Sequence, residues 1–156
     1  FTVGFVGHDE HISPRKGFDI IKQACNDLGV NLKSLHLEDR ISYENMPDFY
    51  KSVDVTICAS SMEGAPNPML ESGLVGTPII TTQVGQIQEM VKHEENGLFF
   101  DRSVEGLKKE IKKLINKDDL YEKLSVNIAE TCYDWNKMAI NQWRNIFRLC
   151  IKHKTQ

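Results

Sequence analysis

Two glutamates separated by seven residues of a proline-rich loop are the residues of this chain best placed to do chemistry. Glu63 lies in the loop, and Glu71 lies about one turn into the helix predicted to follow it. Carboxylate oxygens accept hydrogen bonds from pairs of hydroxyl groups, which sugars and riboses offer. Between the two carboxylates, a helix N-terminus presents unpaired N–H groups and a partial positive charge, which bind anions such as a diphosphate. This combination describes a site for a nucleotide-sugar.

The residues between the glutamates indicate a pre-formed site. Gly64 allows a ligand to approach the backbone closely, and Pro66 and Pro68 stiffen the loop. Asn67 is predicted to cap the helix, with Pro68 in its first turn. Spacing alone leaves a structural interpretation open, in which Glu71 only complements the helix dipole, worth ~0.3–1 kcal/mol, and the other carboxylate is solvated.

Strands that alternate with helices must position this loop. Apolar runs predict strands at residues 1–7, 31–37, 53–58, 78–82 and 97–100. Helical spacing of apolar residues predicts helices at 18–28, 67–75 and 86–93, with a short helix or turn at 43–52. This alternation predicts an α/β fold, a Rossmann-like parallel sheet with helices on both faces.

The predicted site lies at the carboxyl edge of this sheet, where ligands of such folds bind. Two unusual loops follow strands there, one at 7–17 and one at 58–68. The rest of the chain is predicted to be helical, with three amphipathic stripes and a last helix at 137–151. We expect two aromatic residues of that helix, Trp143 and Phe147, to belong to the core.

Composition and charge exclude several classes of function. The chain has 156 residues, which suits one domain, and 40% of them are hydrophobic, as in ordinary globular proteins. A net charge of −3 does not favour nucleic acid as a partner. The lysines between residues 108 and 117 alternate with apolar positions, which predicts a solvated helix face. No stretch approaches the ~20 apolar residues of a membrane span.

The four cysteines are widely spaced, so we expect buried free thiols of a reducing compartment rather than a zinc site. Residues 1–7 already form a predicted core strand, and the chain begins with Phe1. We therefore expect the natural protein to extend further toward its N-terminus.

The chain resembles the C-terminal half of retaining glycosyltransferases with the GT-B fold, above all glycosyltransferase family 4. The segment from Glu63 to Glu71 is similar to the family's Glu-x7-Glu motif. Similar segments follow one another along nearly the whole chain: residues 1–7, 16–21, 54–60, 76–80, 84–91, 95–100 and 134–135.

The resemblance implies a role for each matching residue. Lys16 matches a lysine that pairs with the donor phosphates, Glu63 a glutamate that holds the donor sugar, and Glu71 a glutamate that binds ribose hydroxyls. Lys16 and Glu63 are accordingly the expected catalytic residues. The base is expected to pack at residues 37–42. The expected donor-binding residues are Gly7, His8, Arg15, Lys16, Leu37, Arg40, Glu63, Gly64, Ala65, Pro66, Asn67, Pro68, Met69 and Glu71.

Two departures from the family pattern affect the expected site. The family usually has Gly-Arg after the first strand, where this chain has Gly7-His8. Arg15 can supply the missing charge, and so can His8 when it is protonated. The stretch between residues 28 and 35 is shorter than usual, which leaves base selectivity open.

The resemblance implies retaining transfer of a sugar from a nucleotide diphosphate donor to the hydroxyl of a glycan or lipid-linked acceptor, without metal or cofactor. It also implies that an N-terminal GT-B domain, absent from this chain, supplies the acceptor site. The protein would be cytoplasmic, peripheral at the inner membrane face through that domain. Three alternatives stay open: a non-catalytic nucleotide-sugar-binding module or split-transferase subunit, a nucleotide-sugar epimerase, and a flavodoxin-like signalling domain.

Overall fold

The computed structural model describes residues 1–8, 11–36, 39 and 41–154, with side chains except at 134–136, 138 and 149–154. The strands are β1 (Thr2–Val6), β2 (Asn31–Leu35), β3 (Val55–Cys58), β4 (Ile79–Thr81) and β5 (Leu98–Phe99). The helices are α1 (Phe18–Leu28), α2 (Met46–Lys51), α3 (Asn67–Leu74), α4 (Ile87–Met90), α5 (Val104–Asn116) and α6 (Asp118–Lys154). Short 3₁₀ turns precede α1 and α2.

The five strands form one parallel sheet in the order β2-β1-β3-β4-β5, which confirms the predicted α/β class. The order reverses beside β1, so the loops after β1 and β3 meet at the carboxyl edge. This is the position at which doubly wound sheets bind their ligands.

Helices cover both faces of the sheet, because neighbouring strand residues point in opposite directions. In β4, Ile80 packs into a core with α1 and α5, whereas Ile79 packs into a second core with α3, α4 and α6. Both side chains are fully buried. Near-continuous burial along β3 and β4 is what a strand covered on both faces requires.

Three of the four cysteines are buried and free, as predicted, and the side chain of Cys150 lies outside the described set. Burial raises the pKa of the Cys25 thiol to about 11 and that of Cys132 to about 12. These thiols therefore behave as small core residues rather than nucleophiles.

The predicted helix at 86–93 is too long, since α4 ends at Met90. Val91 is extended, and His93 forms a β-bridge with Gly97. The Asn96 side chain accepts a hydrogen bond from the Lys92 amide, so local pairing replaces the last helical turn.

Of the three predicted amphipathic stripes, the first forms α5, and the second and third lie on one continuous helix, α6, of 37 residues. Such a helix spans about 55 Å, longer than a small domain is wide. Its first part is held in the core by Leu124, Ile128 and Cys132. The prediction that Trp143 and Phe147 belong to the core is wrong, because their side chains are 59% and 61% exposed.

The lysine-rich face of α5 agrees with the prediction of a solvated surface. Lys109, Lys112 and Lys117 are exposed, and Lys108 and Lys113 pair with neighbouring carboxylates. Within the described part of the chain, no helix is long and apolar enough to cross a bilayer.

Gly73 is predicted to be required where α3 packs against α6. A Cβ added at Gly73 would lie 2.3 Å from the Cys132 sulfur and 2.9 Å from Ile128 Cγ1. We expect Gly73→Ala to lower the free energy of unfolding by about 1–2 kcal/mol, since overpacking outweighs the gain in helix propensity of roughly 1 kcal/mol. Urea unfolding measures the change.

The control is Gly64→Ala, where no described heavy atom lies within 4 Å of the added Cβ. It is expected to leave stability within about 0.5 kcal/mol. A Gly73→Ala variant as stable as the wild type would contradict the close packing of α3 on α6.

Candidate functional site

The turn after β1 passes directly over the end of β3, because Gly17 has no side chain. Gly17 has a φ of 66°, and an added Cβ would lie only 2.4 Å from the Ala59 carbonyl oxygen. The Ser61 amide donates a 2.8 Å hydrogen bond to the Arg15 carbonyl, which fastens the two loops together. This close approach places Lys16 beside the loop that carries Glu63.

Lys16, Ser60 and Glu63 form a compact polar network. The Lys16 ammonium lies 2.5 Å from Glu63 Oε1, and the Ser60 hydroxyl donates to the same oxygen at 2.6 Å. The Lys16 and Glu63 side chains are only 21% and 11% exposed, so both charges are largely shielded from water. The second carboxylate oxygen, Oε2, has no hydrogen-bond partner among the described residues and is available to a ligand.

The network holds Glu63 in its charged form. Burial on its own favours the neutral acid, but hydrogen bonds from Lys16 and Ser60 and the charges of Lys16 and Arg15 outweigh burial and lower the pKa of Glu63. An ionised carboxylate accepts hydrogen bonds only, which suits recognition of hydroxyl groups.

Arg102, two residues before α5, also links the same two loops. Its Nε donates to the Ala59 carbonyl at 2.8 Å, and its Nη2 donates to the Pro14 carbonyl at 3.2 Å. The planar guanidinium can reach both carbonyls at once, which an ammonium cannot do with the same geometry. Arg102 therefore helps to fix the backbone on which Lys16 stands.

The N-terminus of α3 follows the network directly, but its cap differs from the predicted one. Pro66 is the N-cap residue and makes no side-chain cap, while Asn67 is already the first helical residue. The backbone explains this difference: the Met69 amide bonds the Pro66 carbonyl at 2.9 Å, so the helix begins one residue before an Asn67 cap would allow. Pro68 lies in the first turn, as predicted.

Two adjoining cavities lie along this edge and share Lys16 and Pro68. The first, of about 230 Å³, is lined by Glu63, Ser60 and the start of α3. The second, of about 410 Å³, lies at the carboxyl ends of β1 and β2 and is lined in part by His36. Together they form an elongated depression with a cation at its middle.

Cationic and hydrogen-bonding groups line the second cavity. Gly7, His8 and Arg15 contribute to its wall. His8 Nδ1 is buried and has no hydrogen-bond partner within the described part of the chain. A ligand oxygen or N–H group can satisfy this atom, so the site has an open polar position where the family pattern places an arginine.

Glu71 lies one turn further along α3 and takes a different partner. The Tyr50 hydroxyl, on α2, donates a 2.6 Å hydrogen bond to Glu71 Oε2. Glu71 is half-buried, whereas Tyr50 is fully buried.

The structure brings most of the predicted residues to one edge. The described ones among them that line the two cavities are Gly7, His8, Arg15, Lys16, Glu63, Ala65, Pro66, Asn67, Pro68 and Met69. Gly64 instead accepts a backbone hydrogen bond from Gln86, and Glu71 contacts Tyr50. Leu37 and Arg40 lie outside the described residues.

Sequence reasoning missed three residues that organise this site: Ser60, Tyr50 and Arg102. Ser60 could have been found from its position three residues before Glu63. Arg102 lies 43 residues from Ala59, and Tyr50 lies 21 residues from Glu71. No local pattern links such pairs.

A larger cavity of about 660 Å³ lies on the other side of Ser60 and is lined by the ends of β4 and β5 and the start of α5. His93 and Glu110 line this cavity, and their ligand atoms and those of Glu94 lie within 4.8 Å of one another, the spacing a metal ion would need. However, His93 Nδ1 accepts the Phe99 amide hydrogen at 2.9 Å, so a neutral ring carries its proton on Nε2. Lys113 already lies 2.7–2.8 Å from both glutamates, and the group is an ion-pair network.

The Glu63 network is predicted to stabilise the fold at neutral pH. We expect Glu63→Gln to lower the free energy of unfolding by about 1–3 kcal/mol at pH 7, since it removes the charged partner of Lys16. The pKa of Glu63 in the folded protein lies below its ordinary value of 4.5. The stabilisation is therefore complete above pH 4.5 and is lost as the pH falls through the folded-state pKa.

Urea unfolding of both proteins between pH 3 and pH 7 measures this difference. The control, Glu122→Gln at an exposed glutamate of α6, is expected to leave the curve unchanged within about 0.5 kcal/mol. A gap between wild type and Glu63→Gln that widens as the pH falls would be inconsistent with a charged Glu63.

Comparison with known proteins assigns the chain to a family. Residues 30–131, more than half of the chain, match the model of the glycosyl transferases group 1 family. The lipopolysaccharide core biosynthesis glycosyltransferase LpsE of Rhizobium meliloti is 30% identical over 118 residues, covering 72% of this chain and 33% of that protein. The chain spans about a third to two fifths of the length of the curated relatives it matches.

Solved structures share the fold. The C-terminal domain of the group 1 protein LpcC from Francisella tularensis superposes with a TM-score of 0.73 at 18% identity, covering 86% of this chain and 85% of that domain. Anabaena HepE, solved with UDP and glucose, superposes with a TM-score of 0.70 at 18% identity, covering 86% of this chain and 44% of HepE. The fold is that of one half of a GT-B glycosyltransferase, and the chain belongs to the glycosyl transferases group 1 family.

Proposed function

We propose that this chain is the donor-binding domain of a retaining, family 4 GT-B glycosyltransferase, and that it binds a nucleotide diphosphate sugar. The observation that carries the proposal is the largely buried Lys16–Glu63–Ser60 network beside the N-terminus of α3. It places a cation, a charged acceptor of hydroxyl hydrogen bonds and the positive end of the α3 helix dipole at the middle of an elongated depression.

The diphosphate would lie between Lys16 and the start of α3. The helix N-terminus offers a partial positive charge. Its first amides bond within the chain, Asn67 to the Ala65 carbonyl and Met69 to the Pro66 carbonyl, and the prolines have no N–H to give. The Lys16 ammonium has three donors, so it can keep Glu63 and also contact a phosphate oxygen. Lys16 and Arg15 would then stabilise the negative charge that develops on the departing nucleoside diphosphate.

The donor sugar would lie against Glu63. Lys16 and Ser60 both bond Oε1, which leaves Oε2 to accept hydrogen bonds from sugar hydroxyls. Gly64 is open on its exposed side and allows the sugar to approach the backbone. The nucleoside would extend along the second cavity toward Asp39 and Ile41, with its ribose hydroxyls on Glu71.

The proposal needs no metal ion or cofactor in this domain. The groups that would balance the charge of the diphosphate are basic side chains and the helix dipole of the chain itself. That the site works without metal is an expectation, which titration with and without added Mg²⁺ tests.

The acceptor site is proposed to lie in the remainder of a longer protein. The chain spans only about a third to two fifths of its curated relatives, and GT-B enzymes close two domains around the donor. We therefore propose that this chain alone binds donor without efficient turnover. A glycan or lipid-linked acceptor at the inner membrane face fits the resemblance to family 4 and the lipopolysaccharide role in the name of the Rhizobium relative.

The first test is calorimetric titration of the chain with UDP, GDP and ADP without added metal. We expect one of them to bind saturably, and Lys16→Ala to weaken it about 10- to 100-fold through loss of a charge-assisted hydrogen bond. The matched control is Lys112→Ala, at an exposed lysine of α5, which is expected to have no effect. Equal weakening by both lysine variants, or no saturable binding at all, would oppose the proposal.

The second test separates the sugar contact from the ribose contact. We expect Glu63→Gln to weaken the nucleotide-sugar about tenfold and the nucleoside diphosphate less than about threefold, since only the sugar reaches Glu63. Glu71→Gln is expected to weaken both ligands alike. Calorimetry with both ligands gives the affinity of each variant relative to the wild type. Equal loss of nucleoside diphosphate affinity in the two variants would contradict the assigned roles.

A further inference from the structure

Tyr50 directs a single buried hydroxyl at Glu71, which lies one turn beyond the start of α3. Its side chain is fully buried, yet its hydroxyl reaches Glu71 Oε2 at 2.6 Å. No motif in the sequence assigns Tyr50 a role, and it lies near the end of the short helix α2. A polar atom buried at this depth needs a partner, and the partner here is a half-buried glutamate.

The position of this hydroxyl is fixed by the packing of α2. The Phe49 and Tyr50 rings meet edge to face at 5.5 Å, and the Thr77 hydroxyl donates to the Tyr50 carbonyl at 2.8 Å. The Ser72 hydroxyl contacts the Thr77 carbonyl and the Thr56 hydroxyl at 3.1 and 2.8 Å. Tyr50 is thus held to the same layer that carries α3, and it cannot follow a moving Glu71 side chain.

We propose that Tyr50 is a positioning residue that orients the Glu71 carboxylate toward the hydroxyl pair of the donor ribose. The proposal rests on the donor-binding function above and adds a determinant of selectivity to it. By holding Glu71, Tyr50 makes the site discriminate ribonucleotides from nucleotides that lack the ribose hydroxyls.

The chemistry of the pair supports this role. A carboxylate offers about four lone-pair positions, and the tyrosine hydroxyl takes one of them on Oε2. Oε1 takes no hydrogen bond from any described residue, so it and the rest of Oε2 can accept from two neighbouring hydroxyls. Burial, with the hydrogen bond to Glu71 and its charge, raises the pKa of Tyr50, so the hydroxyl remains a donor.

The test compares a nucleoside diphosphate with its 2′,3′-dideoxy analogue, using the 156-residue chain and whichever of UDP, GDP and ADP binds. Tyr50→Phe is expected to weaken the ribonucleotide about three- to tenfold and to leave the dideoxy analogue within about twofold. In a Glu71→Gln background, Tyr50→Phe should add no further loss of ribonucleotide affinity, because its effect passes through Glu71.

Two controls keep a structural role apart from a positioning role. Tyr133→Phe makes the same change at a tyrosine that is 64% exposed on α6, and it is expected to alter neither affinity. Thermal unfolding of Tyr50→Phe reports whether the fold survives the loss of the buried hydroxyl.

The outcomes are separable. A loss confined to the ribonucleotide supports the inference. Equal weakening of both ligands, or no change in either, overturns it and leaves the proposed function intact. If the wild-type chain binds no nucleoside diphosphate, or binds the dideoxy analogue as tightly as the ribonucleotide, the assignment of Glu71 fails and this inference fails with it.

Discussion

The close passage of the turn at Gly17 over the Ala59 carbonyl is the constraint on which the rest of the edge depends. Only a residue without a side chain fits there, and its φ of 66° is one that glycine adopts without strain. Arg102 and the Ser61 amide then fasten the two loops from different sides. The position of the Lys16 side chain follows from this arrangement, because the turn at Gly17 brings Lys16 next to Glu63, which is 47 residues away in the sequence.

Electrostatics explains why the paired charges at this edge suit binding better than stability. A lysine and a glutamate withdrawn from water lose hydration, which offsets much of the stability that their attraction provides. The pair, however, leaves each partner with unused hydrogen-bonding capacity: two donors on Lys16 and one oxygen on Glu63. A nucleotide-sugar, with phosphates beside hydroxyls, matches both. The pair is therefore pre-organised for such a ligand, and binding need not order the side chains anew.

Local patterns in the sequence predicted the five strands, the helices on both faces and the edge of the sheet that carries the glutamate loop. Hydrophobic periodicity and the positions of glycine and proline determine these features. They did not predict contacts made at long range. Tyr50 and Arg102 meet their partners only through tertiary packing. An aromatic stripe predicts burial only if another surface packs against it, and the Trp143 side chain on α6 is exposed instead. Asn67 was misplaced as a cap by one residue, within the usual uncertainty of helix ends.

The central claim, that a nucleotide diphosphate sugar binds at the start of α3, is tested most directly by a crystal structure of the chain with its nucleoside diphosphate. The account predicts the diphosphate beside the start of α3 and within hydrogen-bonding distance of Lys16, with the ribose hydroxyls on Glu71. Density for the nucleotide in the larger cavity beside His93, or on the lysine-rich face of α5, would contradict it.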